Sequence, residues 1–404
     1  MYLREFGTHW ERFLSAAIGV GLGSALSYYT LSLFGPPLLE EFGWSKAEFA
    51  LVGSLPLLTG ILVPVAGRLT DRFGTRLAAS VGFAGMTLGY FAYMFMSGNL
   101  TEFFAIYIVQ HIFGILTTSL VFARVVVEKF DRARGIALSL LMTPPPLFGA
   151  IAAPLLGGLI DDHGWRAAYG ALGLVTGAGG LTAILLMGRH RRREGPPPPP
   201  SRLSWAQFGQ FLKHPTLILI LIGMLLVNLP QAFATSQLKL VLMDGGVTNQ
   251  TATWMMSVYA VGVIVGRFAS GLALDRMPAH IVALAALGLP AIGYFLLVGE
   301  VTSLPVLVGA MSIVGFAQGA EADIGAFLIS RKFHLENFSL LLSLLTTMVL
   351  TGSAVGALLM SWIVGSTGNY DAFLYVASVS TLVGATFFVL IGRTSARTED
   401  ARQS

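Results

Sequence analysis

The 404-residue chain is 54% apolar and only 11% charged, with a mean hydropathy of +0.73. A soluble protein of this size carries about 25% Asp, Glu, Lys and Arg, so the chain lacks the polar surface to cover a water-soluble globule, and soluble domains are excluded. The absence of cysteine excludes disulfide scaffolds, thiolate metal sites and cysteine nucleophiles.

A spanning helix needs about 20 predominantly apolar residues. Such runs occur at about 13–38, 47–67, 77–97, 102–126, 135–159, 167–187, 215–234, 252–274, 281–299, 304–329, 338–364 and 371–392. The 47 glycines fit close-packed membrane helices, which approach each other through small residues. The first run follows Arg4 and Arg12, is too long for a signal-peptide core and lacks a small-residue cleavage site, so it reads as span one. Spans five and seven are interrupted, by Pro144, Pro145 and Pro146 and by Pro230. Three missing backbone donors forbid an unbroken helix at the triple proline, which predicts either a bend that flexes or a fixed kink.

The break at 188–214 holds Arg189, Arg191, Arg192, Arg193 and Arg202, and Pro196 to Pro200, a composition that favours a stiff polyproline II spacer. The predicted organisation is therefore a six-helix half over 1–187, a linker over 188–214, a second six-helix half over 215–393 and a tail over 394–404. About 20 of the 25 basic residues fall in the two tails, the linker and the even-to-odd loops, and about three (Lys46, Arg166, Lys239) on the opposite side. By the positive-inside rule both termini are expected in the cytoplasm, the chain lying in a plasma membrane such as the bacterial inner membrane. The pI near 9.4 then reflects basic residues at lipid headgroups, with an RNA-binding arginine run at 189–193 as the lesser reading.

The halves repeat each other. Gly67-Arg-Leu-Thr-Asp71-Arg72 recurs as Gly271-Leu-Ala-Leu-Asp275-Arg276, displaced by 204 residues; Lys129-Phe130 matches Lys332-Phe333, displaced by 203; Gly164 matches Gly368, displaced by 204. Three pairs in order, each joining equivalent spans, indicate duplication, and duplicated six-span halves are the architecture of alternating-access carriers with a site near mid-membrane. The predicted fold class is an all-α membrane protein of twelve transmembrane helices in two pseudo-symmetric six-helix halves.

Gly67 through Arg76, with Gly74 between them, resembles the loop motif of the major facilitator superfamily. Gly67 is expected to let two helices approach, Asp71 to face the dipole end of a neighbouring helix, and Arg72 and Arg76 to anchor to headgroups or carboxylates. These residues, with Asp275 and Arg276, form the predicted gating set; a simple positive-inside cluster is the alternative. Phe34-Gly-Pro-Pro with Phe42-Gly-Trp44-Ser45, Phe130-Asp-Arg-Ala-Arg134-Gly135 with Gly164-Trp165-Arg166, and the lone Arg267 resemble the monocarboxylate-transporter-like branch. That resemblance implies a carboxylate-binding role for the span-eight arginine. The chain departs from the branch in having Val263 one turn before that arginine, where an aspartate is common, and Tyr28 and Tyr29 in span one, where a lysine is common.

The ionisable groups within spans are Arg124, Arg267, Glu321 and Asp323, with His111 as a neutral candidate. A mid-span charge costs at least ~2.5–3.5 kcal/mol and demands a partner or a wet cavity. Arg267 lies ~12 Å and Glu321 ~15 Å inside the same face at 1.5 Å per residue, so an ion pair or a shared site is geometrically open. Arg267 offers a planar fork to a carboxylate; a fixed bridge to Glu321 or Asp323 is the alternative, and both hold if the cargo displaces the protein's own carboxylate. Glu321 and Asp323 lie ~200° apart on their helix; Glu321 ranks first as proton carrier on depth. Arg124 either snorkels to the interface, contacts an anion or pairs with Asp323. Tyr28, Tyr29, Asn228 and Gln231 are polar groups on spans one and seven, as suited to helix–helix hydrogen bonds as to the cargo. Gln110 stands where drug exporters of the superfamily carry an arginine, which counts against that class.

No P-loop, no Gly-x-Ser-x-Gly elbow and no metal-spaced histidine pair occurs, so neither an enzyme nor a cofactor is expected. The expectation is a monomeric secondary transporter for a small organic anion, with protons and membrane lipids as its other partners and no nucleic acid. Proton symport of a monocarboxylate ranks first; anion exchange without protons, proton-coupled export of drugs or metabolites, and a non-transporting sensor follow.

Overall fold

The computed structural model describes residues 2–131, 133–188, 214–333 and 338–403; apart from Gly188 and His214, the predicted linker lies outside them. No strand occurs among the described residues. Nine helices among them are long and apolar enough to cross a bilayer, or ten if Lys46–Gly60 and Val63–Phe73, bent by 51°, count as one crossing. One of these stretches, Arg134–Met187, joins helices Arg134–Leu141 and Pro144–Met187 and has 54 residues. At 1.5 Å per residue it would reach ~81 Å, against ~30 Å of hydrocarbon. It divides at Gly164 (φ 82°, ψ 164°) into the expected spans five and six.

Gly368, the repeat partner of Gly164, has φ 80°. Both glycines have a positive φ near 80°, which a side chain disfavours. The sequence repeat is thus also a repeat of turn geometry.

The triple proline does not bend a helix from within. Helix Arg134–Leu141 stops, and Pro144, Pro145 and Pro146 form the first turn of the next helix. Backbone donors in a first turn have no intrahelical acceptor, so three missing ones cost little there. Span seven is more broken than expected. Helix Pro215–Val227 ends before Pro230, Phe233–Gln237 is a wider π turn, and helix Leu238–Asp244 follows. The last helix, Asp371–Gln403, continues through the stretch expected to be a tail.

The chain forms two compact units: Met1–Arg191 with Phe233–Val261, and Arg192–Ala232 with Gly262–Ser404. The first packs Phe83, Phe122, Phe130, Leu141, Ala183 and Met187 into one core. Toward the Glu41 end its aromatics gather: Tyr169 stacks on Phe34 at 3.8 Å and on Tyr93 at 4.6 Å between centroids. The second unit is built around Leu217, Met224, Leu287, Ile324, Leu328 and Phe388. Large apolar side chains such as Leu155, Leu174, Trp362 and Val379 are exposed, as lipid-facing residues are.

Candidate functional site

The site in the second unit rests on a crossing of two helices, Asn249–Leu274 and Leu304–Lys332. Gly262 and Gly266 on the first meet Gly315 and Gly319 on the second. A Cβ on Gly262 would lie 2.7 Å from the Ser312 carbonyl oxygen and 3.3 Å from Gly315 Cα. One on Gly266 would collide with the Phe316 carbonyl, and one on Gly319 with the Val263 carbonyl while lying 2.8 Å from the Arg267 nitrogen. Backbones touch along this line, as small residues at a four-residue spacing permit. The crossing fixes Arg267 beside the turn that carries Glu321 and Asp323.

Arg267 is half-buried, and its buried Nε has no hydrogen-bond partner among the described residues. No carboxylate lies within ion-pair distance of it among those residues. Asp323, also half-buried, lies within Coulombic range of it. Glu321 faces elsewhere: it is 7% exposed and accepts a 2.8 Å hydrogen bond from Asn228 Nδ2. The depth argument pairs Arg267 with Glu321, whereas the rotation of the helix turns Asp323 toward that charge. Two positions on a helix differ by ~200°, so only one carboxylate can take that direction.

Asn228 is pinned on several sides. Its Nδ2 also donates to the Met224 carbonyl at 2.8 Å, and a Cβ on Gly352 would lie 3.1 Å from Asn228 Cβ. Its buried Oδ1 has no partner among the described residues. Gln231 follows one turn later, its N–H donating to the Asn228 carbonyl at 3.1 Å. Tyr294 lies within Coulombic range of Glu321, a neighbour the sequence did not suggest. Tyr28 and Tyr29 belong to the first unit, where their rings meet edge-on at 5.1 Å and Tyr29 lies 6.4 Å from Tyr259. The expected cargo-binding residues are therefore divided, Arg267, Asn228 and Gln231 in one unit and the tyrosines in the other.

In the first unit His111 stacks on Tyr107 at 5.7 Å, and buried Gln110 donates to the Met86 carbonyl at 3.2 Å. Arg124 forms an ion pair with Asp71. This corrects two expectations: Asp71 engages a guanidinium instead of a bare helix terminus, and Arg124 engages the loop motif instead of Asp323. The close approach expected at Gly67 is not made; the nearest atom to an added Cβ is Leu120 Cδ1 at 4.0 Å, and at Gly271 nothing lies within that distance. Arg72 lies over the Phe73 ring at 5.3 Å. Arg76, Asp275 and Arg276 join no ion pair among the described residues.

Three further polar contacts went unforeseen. Glu41 accepts from Arg166 at 2.6 Å and from Trp165 Nε1 at 2.5 Å, and Lys46 pairs with Asp244. Lys239, expected in a loop, is buried within a helix. A groove of 660 Å³ in the second unit, lined by Ala273, Ile281, Leu289, Phe295, Phe316 and Leu382, is almost wholly apolar and offers nothing to hold a carboxylate. No group of three or more His, Asp or Glu fit for a metal ion occurs among the described residues.

The chain as a whole is similar to known proteins. Monocarboxylate transporter 13 of Bos taurus is 26% identical over 371 residues, covering 90% of this chain and 85% of that protein. Monocarboxylate transporter 11 of Mus musculus is 27% identical over 389 residues, covering 91% and 84%. The tetracenomycin C resistance and export protein of Streptomyces glaucescens is 28% identical over 169 residues, 40% of this chain and 30% of that one. Among solved structures, the nucleoside transporter NupG shares the fold with a TM-score of 0.79 at 12% identity, covering 95% of this chain and 99% of its own. The Major Facilitator Superfamily profile matches residues 17–243 and again 231–404. With nearly the whole chain matched and the helical membrane architecture in place, this protein is a non-enzymatic, multi-pass membrane transporter that belongs to the Major Facilitator Superfamily.

Proposed function

We propose that this transporter carries a small organic anion, a monocarboxylate, by alternating access and together with a proton. The observation that carries the reading is Arg267: a guanidinium held at a glycine-lined helix crossing, its Nε without a partner among the described residues and its field shared with Asp323. A carboxylate cargo completes such a fork with two charge-assisted hydrogen bonds and takes over from Asp323. Glu321, held by the Asn228 amide and not by a cation, is the group assigned to the proton, because it gains and loses one without breaking an ion pair. The named monocarboxylate transporters among the relatives support the class of cargo. The basic tails and even-to-odd loops support cytoplasmic termini.

The test is uptake into proteoliposomes of a radiolabelled panel of acids, amines and sugars. Uptake of acids, accelerated by an inward proton gradient, is expected. Uptake of amines or sugars with no acid moving overturns the reading.

A further inference from the structure

Lys239 is a charge that the mechanism above does not use. It lies in helix Leu238–Asp244, is 1% exposed, and its backbone N–H donates to Ser32 Oγ at 2.8 Å. Its ammonium makes no hydrogen bond and no ion pair among the described residues. A buried charge of this kind is costly, and a counter-charge at hand for part of the protein's working cycle offsets that cost. The negative group in Coulombic range is Asp161, which is exposed and already accepts from Asn249 Nδ2 at 2.9 Å.

Within the first unit, segment 233–261 is joined to the preceding helices by a short series of polar contacts: Lys46 with Asp244, Asn249 with Asp161, Ser257 Oγ with the Ala150 carbonyl at 2.7 Å, and Lys239's own N–H with Ser32. The Thr253 methyl fills the space over Gly157, where a Cβ would lie 2.6 Å away. These contacts form a seam with Lys239 buried along it. A purely packing role would be filled by an apolar residue at no electrostatic cost. An ammonium on a flexible stem adapts its three donors to anions of varied shape.

On the basis that the cargo is an organic anion, we infer that Lys239 is a second anion-binding residue, whose ammonium exchanges the field of Asp161 for the carboxylate of the cargo when the seam opens. Its site takes a carboxylate independently of the guanidinium of Arg267.

The purified full chain tests this, with pyruvate, lactate and benzoate as probes. Lys239→Gln is expected to raise KM for the transported acid by about tenfold, equivalent to one strong polar contact, with a smaller change in kcat. Its ligand-free melting temperature should match or exceed that of the native protein, while the rise produced by the acid falls to the part that Arg267 contributes. Lys239→Arg should keep most of both. Because the chain has no cysteine, Lys239→Cys also admits chemical rescue. Aminoethyl methanethiosulfonate, which restores an ammonium, should recover low-KM uptake; the sulfonatoethyl reagent, which installs an anion, should not. Native KM and a native acid-induced shift in Lys239→Gln, or equal behaviour of the two reagents, overturns the inference alone. If the native protein moves no acid, the anion reading falls first and this inference with it.

Discussion

Arg267 and its two carboxylates divide the work by the direction in which each side chain points. Glu321 sits against Asn228, and Asp323 shares the field of Arg267. Glu321→Gln keeps the shape and the Asn228 contact but holds no exchangeable proton. It should abolish acid uptake driven by an inward proton gradient and leave acid exchange at least half intact; equal loss of both would remove Glu321 from the proton path. Asp323→Asn should leave the driven uptake in place and tighten binding of the acid, because the internal competitor for Arg267 is gone. A weaker affinity for the acid would mean that Asp323 organises the site instead of competing for it. The sequence located these groups, but not their rotation: nothing within one helix states which of two positions ~200° apart faces a neighbour.

Helix crossings decide that rotation, and they depend on pairs of elements. Gly262 and Gly266 are legible as a small-residue pattern, as are Gly315 and Gly319, yet that the two patterns face each other is visible only in the fold. Gly319→Ala places a Cβ on the Val263 carbonyl and should cost about 1–3 kcal/mol through forced separation of the helices. Gly309→Ala, on the same helix with nothing within 4 Å of the added Cβ, should stabilise by about 0.5–1 kcal/mol. Thermal unfolding of the two variants checks the contrast; equal behaviour would place the crossing elsewhere. Asp71 and Arg124 pair across elements too, with side chains 64% and 32% exposed. An exposed pair contributes about 0–1 kcal/mol to stability, so Asp71→Asn should leave the melting temperature nearly unchanged while slowing transport several-fold. A large fall in melting temperature with native turnover would make the pair structural. Lys239 escaped sequence reading for a related reason: the apolar run interrupted by Pro230 is read as ending at 234, and the helix that resumes at Leu238 is too short to register as membrane-embedded.

At the scale of the whole molecule the sequence was most informative. Low charge, long apolar runs and the 204-residue repeat lead directly to a helical membrane transporter, and the positive φ shared by Gly164 and Gly368 carries the repeat into the backbone. The turns at Gly164 and beyond Pro230 explain why expected spans are found as one over-long helix and one broken one. Charges within apolar runs stand out in a sequence because a bilayer makes each of them expensive; their partners required three dimensions. The central claim is that the cargo's carboxylate binds the guanidinium of Arg267. Counterflow of a radiolabelled monocarboxylate in proteoliposomes containing native protein or Arg267→Lys tests it most directly, since exchange needs no proton gradient and the substitution keeps the charge while removing the fork. The native protein should exchange the acid, and a folded Arg267→Lys should exchange it at least about tenfold less well, the loss of one charge-assisted contact. Native-rate exchange by folded Arg267→Lys would contradict the account.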